Sequence, residues 1–163
     1  MLGVDPGTAA TGYGVVERAD AGPYRLVECG VIRAPSDVPL AGKLDAIFAE
    51  IESLIVRHRP DILAVETVFV ARNPRSALIL GHARGVVLLA GARAGVTVAE
   101  YAPRDVKAAV VGAGSATKAQ IQMMVARLLR LKTPPAPADA ADGVAIALTH
   151  CLRSRTLRRA VVG

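Results

Sequence analysis

Apolar positions along this chain change their spacing several times, and each change marks a predicted element. Leu2 and Val4 lead as an apolar alternation into Asp5, where Pro6-Gly7 is a turn dipeptide, so a short strand runs out on an aspartate. Residues 11–17 continue as a glycine-rich strand. Residues 25–32 read as a third after the turn residues Asp20-Ala21-Gly22-Pro23, and two short connections imply an antiparallel meander. The spacing then becomes helical. Leu44, Ile47, Phe48, Ile51, Leu54 and Ile55 share one helical face, with a loop over 35–39 before them and Pro60 as the stop. Residues 61–65 form an almost wholly apolar run ending in Glu66, the pattern of a strand buried on both faces. Asp5 and Glu66 therefore both stand at strand ends.

In the second half, Asn73 and Pro74 supply a cap and a first-turn proline for a long helix through Leu78, Leu80, Val86, Val87 and Leu89. That helix is apolar on most sides, which suits either a central core position or packing against a second subunit. Gly81 and Gly85, permitting close approach, favour the subunit contact. Residues 96–99 read as a fifth strand. Pro103 opens a short helix through Val110, and Gly112-Ala113-Gly114-Ser115 is a turn before a helix with Ile121, Met124, Val125, Leu128 and Leu129 on one face. Met123 and Met124 are expected in the core. Thr133-Pro134-Pro135-Ala136-Pro137 cannot be helical and delivers the chain into a last helix from near Ala138, with a frayed basic tail from about 153. The order of elements predicts an α/β fold in a single domain over residues 1–163.

On the last helix Asp139 and Asp142, three apart, point from one face of the first turn. The helix macrodipole alone accounts for an acid at Asp139. It accounts less well for Asp142, which precedes the apolar run Val144-Ala145-Ile146-Ala147-Leu148 and should face inward. Asp5 has two readings as well: a turn cap, or a half-buried carboxylate that something positive, such as a metal ion, must neutralise.

Charge sharpens the picture. Residues 1–66 hold six Lys/Arg against ten Asp/Glu, whereas residues 67–138 hold ten Lys/Arg against only Glu100 and Asp105. An acidic pole beside a basic face suits a polyanion gripped by one part and worked on by the other; ordinary solvated surface is the plain alternative. Cys29 and Cys151 are two and far apart, so they read as buried thiols and not as a disulfide or zinc site. No apolar run reaches the ~18 residues of a membrane span, and the expectation is a cytoplasmic protein with no membrane contact.

Four segments together carry a resemblance: Leu2-Gly3-Val4-Asp5-Pro6-Gly7-Thr8, Ala64-Val65-Glu66-Thr67-Val68-Phe69, residues 110–118 ending in Ser115-Ala116-Thr117-Lys118, and residues 138–147 around Asp139 and Asp142. In this order and spacing the chain resembles the RuvC family of bacterial Holliday-junction resolvases over essentially its whole length. The resemblance implies a ribonuclease H-like fold, a five-stranded mixed sheet flanked by helices. It implies a homodimer that resolves four-way DNA junctions by paired nicks, leaving 5′-phosphate and 3′-hydroxyl ends, in contact with the branch-migration proteins RuvA and RuvB. It further implies that Asp5, Glu66, Asp139 and Asp142 are the catalytic acids, that Lys107 and Lys118 contact DNA, and that Phe69 stacks on a base near the junction centre.

The residue chemistry agrees with that implication. Carboxylates with no His or Cys beside them select hard divalent cations, so two Mg²⁺ ions, with Mn²⁺ as substitute, are expected on Asp5, Glu66, Asp139 and Asp142. Arg72, Arg75, Arg84, Lys107 and Lys118 are the residues expected to neutralise neighbouring phosphates. Lys118 near a helix start opposes the helix dipole, and a second role should explain it; Lys107 and Lys118 could equally be solvated. Phe69 is either a core aromatic or a stacking platform worth ~1–3 kcal/mol per base. Three rivals stand on sequence grounds, one of them a catalytically inactive DNA-binding relative, against which the four intact acids Asp5, Glu66, Asp139 and Asp142 count. The opening hairpin also looks like the phosphate-binding hairpin of sugar kinases and actin-like ATPases, which need a second domain, and a YqgF-like nuclease acting on structured RNA keeps the fold but changes the substrate.

Overall fold

The computed structural model describes residues 1–18, 24–67 and 73–162, with residues 155–162 described for their backbone alone. In chain order the elements are β1 (Leu2–Asp5), β2 (Thr11–Arg18), β3 (Tyr24–Ile32), α1 (Leu40–His58), β4 (Ile62–Glu66), α2 (Pro74–Arg93), β5 (Thr97–Tyr101), α3 (Pro103–Val111), α4 (Lys118–Leu128) and α5 (Ala138–Val162). The strands form one five-stranded sheet in the order β3-β2-β1-β4-β5. β1, β2 and β3 pair antiparallel, as their short connections require, while β4 and β5 run parallel to β1 because α1 and α2 carry the chain back between them.

Strand alternation sorts the side chains onto two faces. Leu2 and Val4 of β1 and Leu63 and Val65 of β4 pack with Ile47, Ile51 and Leu54 of α1 and Val87 of α2. On the other face Val16 and Ala64 pack with Val106, Val110, Val125 and the apolar run of α5. Each large aliphatic side chain removed from water in these clusters contributes about 1.5–3 kcal/mol. The most deeply buried helix is α5, in which Ala140, Ala141 and residues 144–148 are almost wholly enclosed.

How α5 reaches that depth is a matter of missing side chains. A Cβ on Gly3, Gly12 or Gly14 would run into the backbone of Gly143, of Asp139 or of Val144, and a Cβ on Gly143 would lie 2.5 Å from Tyr13 Cα. Helix and sheet thus touch backbone to backbone. The start of α5, with its two aspartates, is drawn down onto the end of β1.

Several expectations change. Met123 is 68% exposed, because α4 buries Ile121, Val125 and Ala126 and Met123 lies on its far side; Met124 does pack against the core. Cys151 is buried but Cys29 is only partly so, and both are free. α2 starts as predicted, Asn73 accepting a hydrogen bond from the Arg75 backbone N–H at 3.0 Å with Pro74 in the first turn. It buries only Ala83, Val87, Ala90 and Gly91, however, leaving Leu78 65% and Leu89 52% exposed, so it is not a central core helix. The backbone of α5 is helical to Val162.

Candidate active site

The site follows from the register of two strands. Val4 of β1 is paired with Val65 of β4, and the next residues outward are Asp5 and Glu66. Gly3 and Ala64 look towards α5, and the two-residue period puts Asp5 and Glu66 on that same face. The turn beyond Asp5 is tied by buried Thr11, whose hydroxyl donates to the Gly7 carbonyl at 2.7 Å and accepts the Gly7 N–H at 3.2 Å. Thr11 does the capping, and Asp5 is left to the cavity.

Three helices supply the rest. α5 brings Asp142, α3 brings Lys107 and α4 brings Lys118, and these line one cavity of about 220 Å³ with Asp5 and Glu66, over an apolar floor that includes Val106 and Ile146. Lys118 is fixed as the first residue of α4 by a reciprocal cap. The Thr117 hydroxyl accepts from the Gln120 N–H at 3.3 Å, while the Gln120 side chain accepts from the Thr117 N–H at 2.8 Å. Its ammonium lies 2.6 Å from Asp142 Oδ2 and 4.0 Å from Asp139 Oδ1. These acids offset the unfavourable dipole at the helix start, which answers the question raised by its position. Asp139 is at the rim, its side chain 43% exposed, facing Lys118 and not lining the cavity.

Electrostatically the cluster is under tension. Burial pushes Asp5 up to about 6, with the Asp142 charge adding to the effect and Lys118 opposing it. Burial, then the charges of Asp5 and Asp142, push Glu66 up to about 7, and the two side chains share a hydrogen bond in which Glu66, the weaker acid, donates. Asp142 is also raised by burial, against the pull of Lys118, whose own pKa is raised by its hydrogen bond to Asp142. Such a cluster is stabilised by any cation its oxygens can share.

The donors fit a hard divalent ion: the polar groups lining the cavity are three carboxyls and two lysine ammoniums, with no His or Cys. As the side chains stand, no three acids among the described residues are close enough to coordinate one ion, and the Lys118 ammonium is the positive charge between Asp142 and Asp139. The remaining expected residues sit elsewhere. Arg75 is exposed at the start of α2, and Arg84 is ion-paired with Glu100 of β5, its buried Nε without a hydrogen-bond partner. Phe69 and Arg72 lie outside the described residues. Sequence reasoning missed the glycine floor under α5; its one signal was the two-residue spacing of Gly12 and Gly14 along β2.

The profile of the family described as crossover junction endodeoxyribonuclease RuvC matches residues 1–150. The chain belongs to the RuvC family. Among its relatives, the crossover junction endodeoxyribonuclease RuvC of Pelotomaculum thermopropionicum is 51% identical, over 92% of this chain and 91% of that protein. The RuvC of Halorhodospira halophila is 50% identical, over 100% of this chain and 96% of the relative. The structure of T. thermophilus RuvC in complex with Holliday junction substrate superposes with a TM-score of 0.89 at 38% identity, covering 95% and 94% of the two chains. The mixed sheet flanked by helices is therefore the ribonuclease H-like fold of RuvC proteins. Family membership makes this a metal-dependent nuclease. Among the described residues no helix is long and apolar enough to cross a membrane.

Proposed function

We propose that this protein resolves four-way DNA junctions in the cytoplasm, cutting two symmetric strands by metal-dependent phosphodiester hydrolysis to leave 5′-phosphate and 3′-hydroxyl ends. The observation that carries the reading is the meeting of Asp5, Glu66 and Asp142 with Lys107 and Lys118 in one cavity, from five elements spread along the chain. Asp5, Glu66, Asp142 and Asp139 are the residues that would hold two Mg²⁺ or Mn²⁺ ions. When bound, the ions supply Lewis acidity towards the phosphodiester and lower the pKa of water. The chain does the rest. The acids fix the site, Lys107 and Lys118 bring positive charge to the cavity wall for the phosphate, and the apolar floor of Val106 and Ile146 limits water around it.

Paired cuts need two copies of the site. The exposed Leu78 and Leu89 of α2, with the groove of about 450 Å³ that Leu44, Gly81 and Gly85 help to line, support a homodimer through this helix. A Cβ on Gly81 or Gly85 would meet nothing in the protomer within 4 Å, so these glycines leave open the close approach a second helix needs. Arg75 and, by expectation, Phe69 and Arg72 join Lys107 and Lys118 in holding DNA, while the charge of Arg84 is committed to Glu100. Contact with RuvA and RuvB belongs to the same reading. The YqgF-like alternative loses its ground, since the relatives matched over nearly the whole chain are named for DNA junctions. The test is incubation of purified protein with a synthetic four-way DNA junction, a linear duplex and a structured RNA, each with Mg²⁺, Mn²⁺ or chelator. Paired metal-dependent nicks confined to the junction are expected; preferential cutting of the RNA or of the duplex contradicts the reading.

A further inference from the structure

Beside the acid cavity, and sharing Pro103 and Lys107 with it, lies a second cleft of about 410 Å³ walled also by Ala102, Arg104 and Gly114. Its charge is wholly positive. Arg104 and Lys107 come from the first two turns of α3, and neither forms an ion pair among the described residues, whereas Asp105 between them is 3.5 Å from Arg153. An exposed arginine is ordinarily just solvated, and exposure alone would leave Arg104 there. The turn between α3 and α4 makes the difference.

The stem of Arg104 lies directly over Gly114. A Cβ on Gly114 would stand 2.8 Å from Arg104 Cγ and 3.1 Å from its Nε, both inside ordinary contact distance. Gly114 is not among the glycines with positive φ, which are Gly95 and Gly112. Glycine at 114 therefore answers to contact with Arg104 and not to a backbone conformation. A seated guanidinium keeps fewer rotamers to lose when an anion arrives, and its planar fork matches two phosphate oxygens.

We propose that this cleft takes a backbone phosphate of the nucleic-acid strand next to the one held over the acids, with Arg104 as its main ligand and Gly114 as the residue that positions Arg104. This rests on the nuclease reading above, and the shared wall at Pro103 and Lys107 sets the two phosphates side by side on one strand.

The test is binding of a synthetic four-way junction by the full-length protein in chelator, across a series of salt concentrations. Arg104→Ala should weaken binding about tenfold at low salt and flatten the slope of log K against log salt by about one, without moving the melting temperature. Arg104→Lys should recover the slope but only part of the affinity, because it restores the charge without the fork. Gly114→Ala, by displacing the stem, should reproduce the Arg104→Ala loss, and the double variant should bind no more weakly than Arg104→Ala alone. If the two losses add, Gly114 does not act through Arg104. An unchanged slope in Arg104→Ala returns the guanidinium to the solvated surface and overturns the site whatever Gly114→Ala does. If the unaltered protein fails to bind the junction at all, it is the nuclease reading that falls.

Discussion

Two acidic sites on one sheet, a lone glutamate and a group of carboxyls, show opposite electrostatics. Where the end of α1 meets β2 and β3, Glu28 accepts from Tyr13 at 2.8 Å and from Arg57 at 2.8 Å and lies 2.7 Å from His58. Burial acts to raise it, yet the hydrogen bonds from Tyr13 and His58 and the Arg57 charge bring its pKa below the ordinary value. At the end of β1 and β4, Asp5 and Glu66 have each other and Asp142 for company, and burial pushes them up to about 6 and about 7. The fold satisfies the first acid by itself and leaves the second group wanting a cation. An acid with donors and a cation of its own is satisfied by the fold, whereas acids crowded together in a cavity, with their pKa values raised, mark a site that calls for a ligand.

The largest expected effect comes from emptying the second site. Asp5→Asn, Glu66→Gln, Asp139→Asn or Asp142→Asn should each lower junction cleavage by about 10³-fold or more, while binding holds or strengthens as negative charge is removed. Glu28→Gln should leave cleavage within a factor of about two, because Glu28 is not part of the cavity. Equal losses from both sites would dissolve the contrast.

Stability should then run the other way. Asp5→Asn or Glu66→Gln should raise the melting temperature of metal-free protein by roughly 3–6 °C at pH 8, whereas Glu28→Gln should lower it by a similar amount. The pH dependence sharpens this. Asp5 and Glu66 are raised in the folded state, so their contribution is fully present below the ordinary carboxyl value and is lost as pH rises through about 6 to 7. Glu28 is lowered, so its contribution is present above the ordinary value and is lost only as pH falls through its folded one. A thermal melt series in chelator from pH 4 to 8 should therefore show a decline between 5 and 8 that Asp5→Asn or Glu66→Gln reduces and Glu28→Gln does not. The smallest effect belongs to Met123→Lys, within about 0.5 kcal/mol by denaturant titration, since that side chain is 68% exposed.

Much of this contrast was legible in the residues. The apolar alternation ending in Asp5 and the almost wholly apolar run ending in Glu66 gave the strand ends, and the i, i+3 spacing of Asp139 and Asp142 gave the helical pair. What periodicity could not give was the meeting of the two, because that depends on α5 lying against Gly3, Gly12 and Gly14, and a residue without a side chain leaves no mark in an apolar pattern. The same blindness applies to α2, whose apolar content suited a core helix as well as a subunit contact, and only burial could rule out the central core position. Met123 was misplaced because neighbouring methionines were assigned together, although Met123 lies two residues beyond Ile121, about 200° around the helix. The Glu28 cluster, drawn from β2, β3 and α1, had no local signature at all.

The most direct test of the central claim is a carboxyl NMR titration of the chelated protein, repeated with excess Mg²⁺. The account predicts that the Asp5–Glu66 pair titrates with its upper step near 6 to 7 and that Mg²⁺ drives this step well down, while Glu28 titrates low and does not respond. Both carboxyls of the pair titrating near 4, with no response to the ion, would contradict it.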